Sequence, residues 1–421
     1  MSTHPIILAW AFSCLGLLHP ASATTLEDIP RLVAARNPEL TVTRLMIDEA
    51  KGRHLGAGRL MNPEVELNGR RMTEGREGGF SVGLMQKFPV TARLRFERAV
   101  TAAQIAAAEA EVADRQRMLI AEAEAMAIKI LAMHAEIGIQ ENQATLAEKL
   151  SEIATARAAA NESAIDAGQM RLESRQQRNS IVKLQAQIAG MNESLKPMLG
   201  LAASDALDVT GSLPDAKSPG RAAPGDSRPD IQAALHRVNA AGQSVDLAKA
   251  RKWEDISAGV MVDRGRRMDE PMGLQNETMI GVKVSIPLPL WNKNQGEIAE
   301  TTTMRARAEA EVRALRLKAG SEVASARKEM ERLLPFITEN TTQLLPLARQ
   351  QIERVRETYT NNKASLQDLL RARDQLLMVE MDRVNALRDF NLARVRWKAA
   401  LGRQQPLPKA ARRVEEHRHE K

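Results

Sequence analysis

The chain has 421 residues, of which 43% are hydrophobic but only 3% are aromatic. A composition so poor in aromatic residues and so rich in Ala, Glu, Arg and Leu is typical of long packed helices and argues against ordinary globular domains. The formal net charge of +7 comes from 60 basic and 53 acidic residues that are interleaved along the chain. This pattern gives no support to a nucleic-acid partner.

The N-terminus has the pattern of a secretory signal. Residues 6–18 form an apolar run, and residues 21–23 read Ala-Ser-Ala, an A-x-A cleavage site. We therefore predict a signal peptide over residues 1–23, although its first residues lack Lys and Arg. Cys14, the single cysteine, lies in the apolar run, so we expect it to be removed rather than lipidated and the mature chain to have no disulfide. No other segment approaches the roughly 20 apolar residues of a transmembrane helix, so strands must make any membrane crossing.

The first half, residues 24–201, is predicted to contain two short helical segments followed by a β-hairpin. The helical segments cover residues 25–36 and 39–60. Residues 64–71 and 80–88 alternate apolar and polar side chains, as strands with one apolar face do. A glycine-rich turn joins these two strands into the hairpin.

Beyond Pro89 the sequence predicts a helical hairpin over residues 90–199, whose first arm runs to about residue 161. This arm contains no proline, and apolar residues recur in it every seven positions, as in a coiled coil. The recurring residues are Ile105, Val112, Leu119, Met126 and Met133. About 70 residues at 1.5 Å each give a rod of about 105 Å.

Residues 202–228 are rich in Pro, Gly and Ser and are predicted to be a linker with one short strand at 207–211. The first pattern then restarts over residues 229–403. It has a helix to about residue 252, strands at 255–263 and 279–286 with a turn near 264–276, and a helical hairpin at 294–401 that Pro335 and Pro346 are expected to kink. An offset of about 190 to 200 residues between the halves predicts a tandem duplication. The charged tail, residues 404–421, is predicted to be disordered.

The four strands have an apolar face and a polar face, which suits a transmembrane barrel with lipid outside and water inside. Four strands cannot close a barrel, because about eight is the practical minimum. Unpaired strand edges are not tolerated in lipid. Subunits must therefore pool their strands and the helices below them, which predicts an oligomeric duct through the outer membrane and into the periplasm.

Several segments carry a resemblance to a known family: NPEL, NPEVELNGR, GFSVGLMQKFP and, most closely, SIPLPLWNKNQG. Over about residues 26–402 the chain resembles the TolC family of outer-membrane efflux proteins, in particular the heavy-metal branch. The resemblance implies a mainly α fold with a small β part. Three subunits would form an α-barrel of long periplasmic helices below a 12-stranded β-barrel, with four strands from each subunit. The linker and the termini would form an equatorial collar.

The resemblance also implies partners: a homotrimer in contact with outer-membrane lipid, a periplasmic membrane-fusion adaptor and an inner-membrane RND-type pump. We expect no enzymatic activity and no cofactor, because the sequence contains no phosphate loop, nucleophile elbow or zinc spacing. The function expected is a passive exit duct. Divalent heavy-metal cations are the substrate suggested by the resemblance alone. The alternatives are a duct for organic small molecules and a periplasmic structural or adaptor coiled-coil protein.

Charged residues on the polar face of the predicted strands are candidates for lining the pore. They are Glu64, Glu66, Arg70, Lys87, Asp263 and Lys283. They could form a selectivity ring or simply a solvated pore wall. The solvated wall is favoured, because a shared exit duct needs little selectivity.

The resemblance places the periplasmic hairpin tips at residues 164–171 and 359–370, and Lys363 stands where the family has glycine. The candidate tip and gate residues are Gly168, Tyr359, Ser365, Asp368, Arg371 and Asp374. Asp368 and Asp374 could close the periplasmic mouth by pairing with Arg371, Arg373 or a neighbouring subunit. The alternative is an ordinary exposed helix with ion pairs worth under ~1 kcal/mol each.

No catalytic or metal-ligating residue is predicted. Met118, Met126, Met133 and His134 have side chains that soft metals accept. Met126 and Met133 belong to the seven-residue stripe, where methionine is a common core filler, so core packing is favoured.

Overall fold

The computed structural model describes residues 22–71, 77–158, 164–223, 225–269, 272–361 and 363–402, and it is mainly α-helical with two small sheets. The strands are β1 Ser22–Thr24, β2 Glu64–Arg71, β3 Gly78–Phe88, β4 Leu207–Val209, β5 Ile256–Asp269 and β6 Gly273–Ser285. The helices are α1 Ile29–Arg36, α2 Pro38–Gly56, α3 Arg93–Ala158, α4 Ala164–Leu195, α5 Pro229–Ala250, α6 Gln295–Glu339, α7 Leu345–Thr360 and α8 Leu366–Ala400. None of the helices in this described part is both long and apolar enough to span a membrane.

The helices form a layer of four columns that lie side by side. The 66 residues of α3 make one column about 100 Å long. On one side, α2 packs against the start of α3 and α4 packs against its later part. On the other side, α5 and α8 pack against α3, and both also pack against α6, while α8 packs against α7. The order across the layer is therefore α2 with α4, α3, α5 with α8, and α6 with α7.

The stripe of five apolar residues that recur every seven positions along α3 is only partly buried. Val112 and Leu119 are buried, whereas Ile105, Met126 and Met133 are half-buried. Since α3 has neighbouring helices on two sides, one narrow stripe cannot cover all of its contacts. Small residues outside the stripe, such as Ala123 and Ala127, are fully buried instead.

The larger sheet is antiparallel, with the strand order β2-β3-β5-β6. The two halves of the chain thus meet where β3 pairs with β5. The second hairpin is longer than the strands at 255–263 and 279–286 that the sequence predicted. The turn expected near residues 264–276 is wrong, because Arg264 pairs with Thr278 and Arg266 with Asn276. Backbone hydrogen bonds continue the ladder beyond the point where the apolar alternation ends.

The small sheet joins the N-terminal end of the described chain to the linker. β1 pairs in parallel with β4, which lies within the short strand predicted for the linker. Of the predicted signal peptide, only Ser22 and Ala23 fall within the described residues, where they belong to β1. The predicted tail, residues 404–421, lies outside the described residues.

The last long column is interrupted between its two prolines. Pro335 lies inside α6, Pro346 is the second residue of α7, and a π-helical turn, Asn340–Leu344, separates the two helices. Proline removes one intrahelical hydrogen bond and crowds the preceding turn. A wider π turn is one of the established causes of a helix bend.

Candidate pore wall and hairpin tips

The outward face of the larger sheet is an exposed apolar surface. Ile280 is 81% exposed and Val282 is 76% exposed. Large apolar side chains also cover this face on the other three strands: Val65, Leu67, Phe80, Val82, Leu84, Phe88, Val260 and Val262. A continuous apolar surface of this kind marks a site of contact with a membrane or another protein.

The opposite face carries the six candidate pore-wall residues, and the structure brings them together as three ion pairs. Arg70 donates to Asp263 at 2.5 Å, Lys87 to Glu64 at 2.9 Å and Lys283 to Glu66 at 3.3 Å. Each pair places one positive charge beside one negative charge. These six side chains therefore carry no net charge as a group, which fits a solvated wall better than a selectivity ring.

The ion pair between Lys283 and Glu66 also shows that the sheet is curved. Glu66 lies on the edge strand β2 and Lys283 on the opposite edge strand β6, so the polar face must be concave for them to meet. Glycines on this face leave room for the curvature. A Cβ atom added to Gly259 would lie only 2.3 Å from the carbonyl oxygen of Leu84.

A charged junction connects the sheet to the helices. Arg93, at the start of α3, donates to Asp255 at 2.5 and 2.9 Å and to Glu97 at 3.0 Å. The hydrogen bonds that Asp255 accepts raise the pKa of Arg93. Arg251 contacts Glu97 at 3.4 Å and Glu297 at 3.1 Å. This network links both halves of the chain. Sequence reasoning missed it, because no local pattern marks these partners.

Asn294 shapes the entry to the second long helix. Its backbone has φ +59°, in the left-handed region that asparagine tolerates better than most residues. Its side-chain nitrogen donates to the carbonyl of Ala248 at 2.9 Å and to Glu297 at 2.6 Å. The turn after β6 is thereby fixed to the end of α5.

The first hairpin tip is described only in part, since residues 159–163 lie outside the described residues. Gly168 lies in α4 and is exposed. Farther from the tip, Glu148 of α3 accepts hydrogen bonds from Ser174 at 3.2 Å and from Arg178 at 2.5 Å. These contacts hold the two arms of the first hairpin together.

At the second tip, Tyr359 is a packing residue. It is 1% exposed and lies in one apolar cluster with Leu150 and Met170 of the first hairpin and Leu369 of the second. The helix α7 ends one residue later, at Thr360, and Asn361 has φ −88°. Asn362 lies outside the described residues.

Ser365 and Asp368 form a capping box at the start of α8. The Ser365 hydroxyl oxygen accepts a bond from the Asp368 backbone N–H at 3.2 Å, and the Asp368 carboxylate accepts from the Ser365 backbone N–H at 3.2 Å and from its hydroxyl at 2.6 Å. These bonds to Ser365 lower the pKa of Asp368, with a smaller contribution from the charge of Arg371. Asp368 thus stabilises the helix start of its own subunit.

The predicted pair of Asp374 with Arg373 is present at 2.8 Å, and Arg373 makes a further contact that sequence reasoning missed. Arg373 is buried and donates to Glu173 of the first hairpin at 3.0 Å. Arg371 and Asp374 are exposed. Arg373 therefore joins the two hairpins within one subunit, while Arg371 and Asp374 face solvent.

In the described part of the chain, no group of three or more His, Cys, Asp or Glu side chains could hold a metal ion. Met126 and Met133 pack against the main apolar cluster, as expected for core residues. Met118 and His134 are exposed.

The comparisons with known proteins agree with this architecture. Residues 226–403, less than half of the chain, match the family model described as Outer membrane efflux protein. No curated protein sequence matches the chain at a significant level.

Solved structures match over nearly the whole chain. The outer membrane protein VceC from Vibrio cholerae is 18% identical, with a TM-score of 0.72 over 90% of this chain and 96% of that chain. CusC, in crystal structures concerned with folding and transmembrane channel formation, is 16% identical, with a TM-score of 0.75 over 91% and 93% of the two chains. The Campylobacter jejuni outer membrane channel CmeC is 13% identical, with a TM-score of 0.71 over 93% and 88%. The chain therefore has the fold of these outer-membrane proteins, and its second half carries the match to the outer membrane efflux protein family.

Proposed function

We propose that this chain is an outer-membrane channel of the TolC family that serves as the passive exit duct of a tripartite efflux system. The observation that carries the proposal is the larger sheet, whose outward face is apolar and exposed while its concave face is polar and paired in charge. That polarity is suited to lipid outside and water inside. The helical columns of about 100 Å lead away from the sheet and would form the periplasmic tunnel.

The two lateral edges of the subunit support a closed ring. β2 with the α2 and α4 column forms one edge, and β6 with the α6 and α7 column forms the other. Both helical edges expose large apolar residues, including Val42, Leu55 and Val182 on one and Leu317 and Leu347 on the other. Subunits placed side by side in a ring, with one edge of each against the other edge of the next, would cover both edges. A homotrimer would supply the roughly twelve strands of a small barrel.

We also propose that the two halves arose by tandem duplication, because equivalent positions make equivalent contacts. Asn37 and Arg228 each precede a proline that starts a helix. Asn37 donates to the carbonyl of Met198 at 2.8 Å, and Arg228 donates to that of Ala400 at 3.2 Å. Each of these carbonyls lies near the end of a helical hairpin, two residues before a glycine with positive φ, Gly200 or Gly402.

The hairpin tips are proposed to dock to a periplasmic adaptor, which would connect the duct to an inner-membrane RND-type pump. The contacts of Tyr359 and Arg373 support tips that move as a unit, because both residues join the two hairpins of one subunit. Arg371 and Asp374 are exposed and remain the candidates for contacts that close the mouth between subunits. Asp368 is a weaker candidate, since its carboxylate caps α8.

The substrate class proposed is divalent heavy-metal cations, with organic small molecules as the alternative. Support comes from the resemblance of residues 285–296 to the heavy-metal branch. A passive duct does not choose its substrate, so a bacterial strain lacking the gene would be tested for growth with zinc, cobalt or cadmium salts and with organic toxicants. Sensitivity to the metals alone supports the metal assignment, and sensitivity to organic compounds alone contradicts it.

The channel proposal is tested on protein purified in detergent, by measuring its oligomeric mass and its single-channel conductance in a planar lipid bilayer. A trimer that conducts ions is the expected result. A monomer that does not conduct would favour the periplasmic structural or adaptor function instead. Such a protein would leave the exposed apolar face of the sheet without a partner.

A further inference from the structure

Three arginines lie near the far end of the outward sheet face, where Phe80, Met268 and Leu274 are the exposed apolar residues beside or beyond them. Side chains alternate between the two faces of a strand. The positions that share a face with Val262 on β5 therefore include Arg264 and Arg266, and those that share it with Leu67 on β2 include Arg71. All three arginines are exposed. We call them the outer arginine cluster.

The pairing register places this cluster directly above the apolar rows. Leu67, Val82, Val262 and Ile280 form one cross-strand row. The next row on this face, toward the hairpin ends, contains Arg264, and the row beyond it contains Arg71 and Arg266. Neighbouring rows on one face are about 7 Å apart, and next-but-one strands are about 10 Å apart. The three guanidinium groups are therefore close enough to share one multiply charged ligand.

The described strand positions that share a face with the cluster carry no carboxylate, and the nearby Glu77, which precedes β3, accepts a hydrogen bond from the backbone N–H of Met268 at 2.8 Å. The outward positions of β2, β3, β5 and β6 that the structure describes carry no Asp or Glu. Arg266 donates to the neutral side chain of Asn276 at 3.1 Å. The arginines of the inward face differ, because Arg70 pairs with Asp263 and Arg267 lies 3.9 Å from Glu277.

We propose that the outer arginine cluster binds the phosphate groups of an anionic lipid in the outer leaflet of the membrane. The inference rests on the proposed channel function, which directs the hairpin ends away from the periplasmic helices and toward the cell exterior. A lipid whose acyl chains lie on Leu67, Val262 and Ile280 would place its head group at the level of the arginines. Guanidinium groups bind phosphate through charged, two-pronged hydrogen bonds. This surface thus offers apolar contact and charge complementarity to one lipid molecule.

The test measures the dissociation constant of diphosphorylated lipid A for the detergent-solubilised protein by native mass spectrometry. A basic residue at a charged membrane surface contributes about 1 kcal/mol, so Arg264→Gln is expected to weaken binding about fivefold and the double variant Arg264→Gln with Arg266→Gln about 25-fold. Arg267→Gln is the matched control, because Arg267 lies on the same strand but faces inward. It should bind as the unchanged protein does. Lipid A without its phosphates should bind as weakly to the unchanged protein as the diphosphorylated lipid does to the double variant.

Equal affinity of the double variant and the unchanged protein would overturn the inference, as would equal binding of lipid A with and without phosphates. Conductance measured on the same preparations separates this result from the channel proposal. If the protein conducts but the arginine variants bind the lipid as tightly as the unchanged protein does, only the lipid site is overturned. Protein that does not conduct overturns the channel, whereas the lipid titration still reports whether the cluster binds phosphate.

Discussion

The sheet exposes its large apolar side chains, whereas the helical layer buries most of its apolar side chains between helices. In the sheet, Ile280 and Val282 are exposed, while the charged side chains of Glu66 and Lys283 meet across the concave face. In the helical layer the apolar clusters lie between helices, where Phe390 of α8 is fully buried, while the lateral edges still expose apolar residues such as Val42 and Leu317. The hydrophobic effect drives apolar groups out of water, so in the proposed channel lipid would surround the sheet and water would surround the helices.

The largest effect is expected in the helical layer. Phe390→Ala removes a fully buried ring that packs against Met330 and Ile337, and it should lower the free energy of unfolding by about 3–5 kcal/mol. Met378→Ala is the control, since Met378 lies on the same helix and is mostly exposed. Chemical denaturation of both variants in detergent makes the measurement. Equal losses for the two variants would show that the helical interior is not organised as described.

In the sheet, we expect an added charge on the outward face, rather than lost side-chain volume, to reduce assembly. Val282→Arg puts a cation on the face proposed to contact lipid and should cost about 2–4 kcal/mol for each subunit at the membrane midplane. Ser285→Arg is the matched change, because Ser285 lies on the same strand but faces inward. Oligomer yield in membranes should collapse for the first variant and persist for the second. A normal yield of the Val282 variant would contradict lipid contact at this face.

Glu124 offers a pH test confined to the helical layer. Burial raises the pKa of this α3 carboxyl above its usual 4.5, and the charges of Lys398 and Arg394 only partly oppose that effect. The folded protein therefore holds the proton to a higher pH than the unfolded chain does. Stability contributed by the protonated carboxyl is fully present below about pH 4.5 and is lost as the pH rises through the raised pKa.

Glu124→Gln should remove this part of the pH dependence of the unfolding free energy. The exposed neighbour Glu122, replaced by Gln, is the control and should keep the wild-type profile. Denaturant midpoints measured from pH 4 upward give the comparison. Identical profiles for the two variants would show that burial does not perturb Glu124.

The smallest effect is expected at the polar face of the sheet. Lys283→Gln leaves Glu66 without its cation and should move the ion selectivity of the channel modestly toward cations. The double variant Lys283→Gln with Glu66→Gln should return the reversal potential in a salt gradient to the wild-type value. A large loss of conductance in the double variant would favour a selectivity ring over a solvated wall.

Much of the fold could be predicted from the sequence, because its periodic patterns are long. The strand β2 has the predicted bounds, and the apolar alternation of residues 80–88 assigns the outward face of β3 correctly. The extent of β5 and β6 was underestimated, because their distal residues are polar and turn-like while their backbones still pair. Alternation of apolar residues predicts which strand face contacts an apolar environment, and it does not predict how far the hydrogen bonds between strands extend.

The candidate site was also predicted only in part from the sequence. The sequence identified Glu64 and Lys87 as residues of one polar face, but their pairing depends on strands that lie side by side only in the fold. The contact of Arg373 with Glu173 joins residues about two hundred positions apart, and no local signal marks it. The role of Tyr359 also changed, from a candidate gate residue to a packing residue shared by two hairpins.

The sequence by itself determined the kinds of element, their order and the face that each strand turns outward. These properties depend on local periodicity, which side-chain geometry imposes along a single helix or strand. Tertiary structure alone decided which charges neutralise one another, how strongly the sheet curves and which residues join the hairpins. Those properties arise from contacts between distant segments, and the free energy of such contacts is defined only when the backbone has brought the partners together.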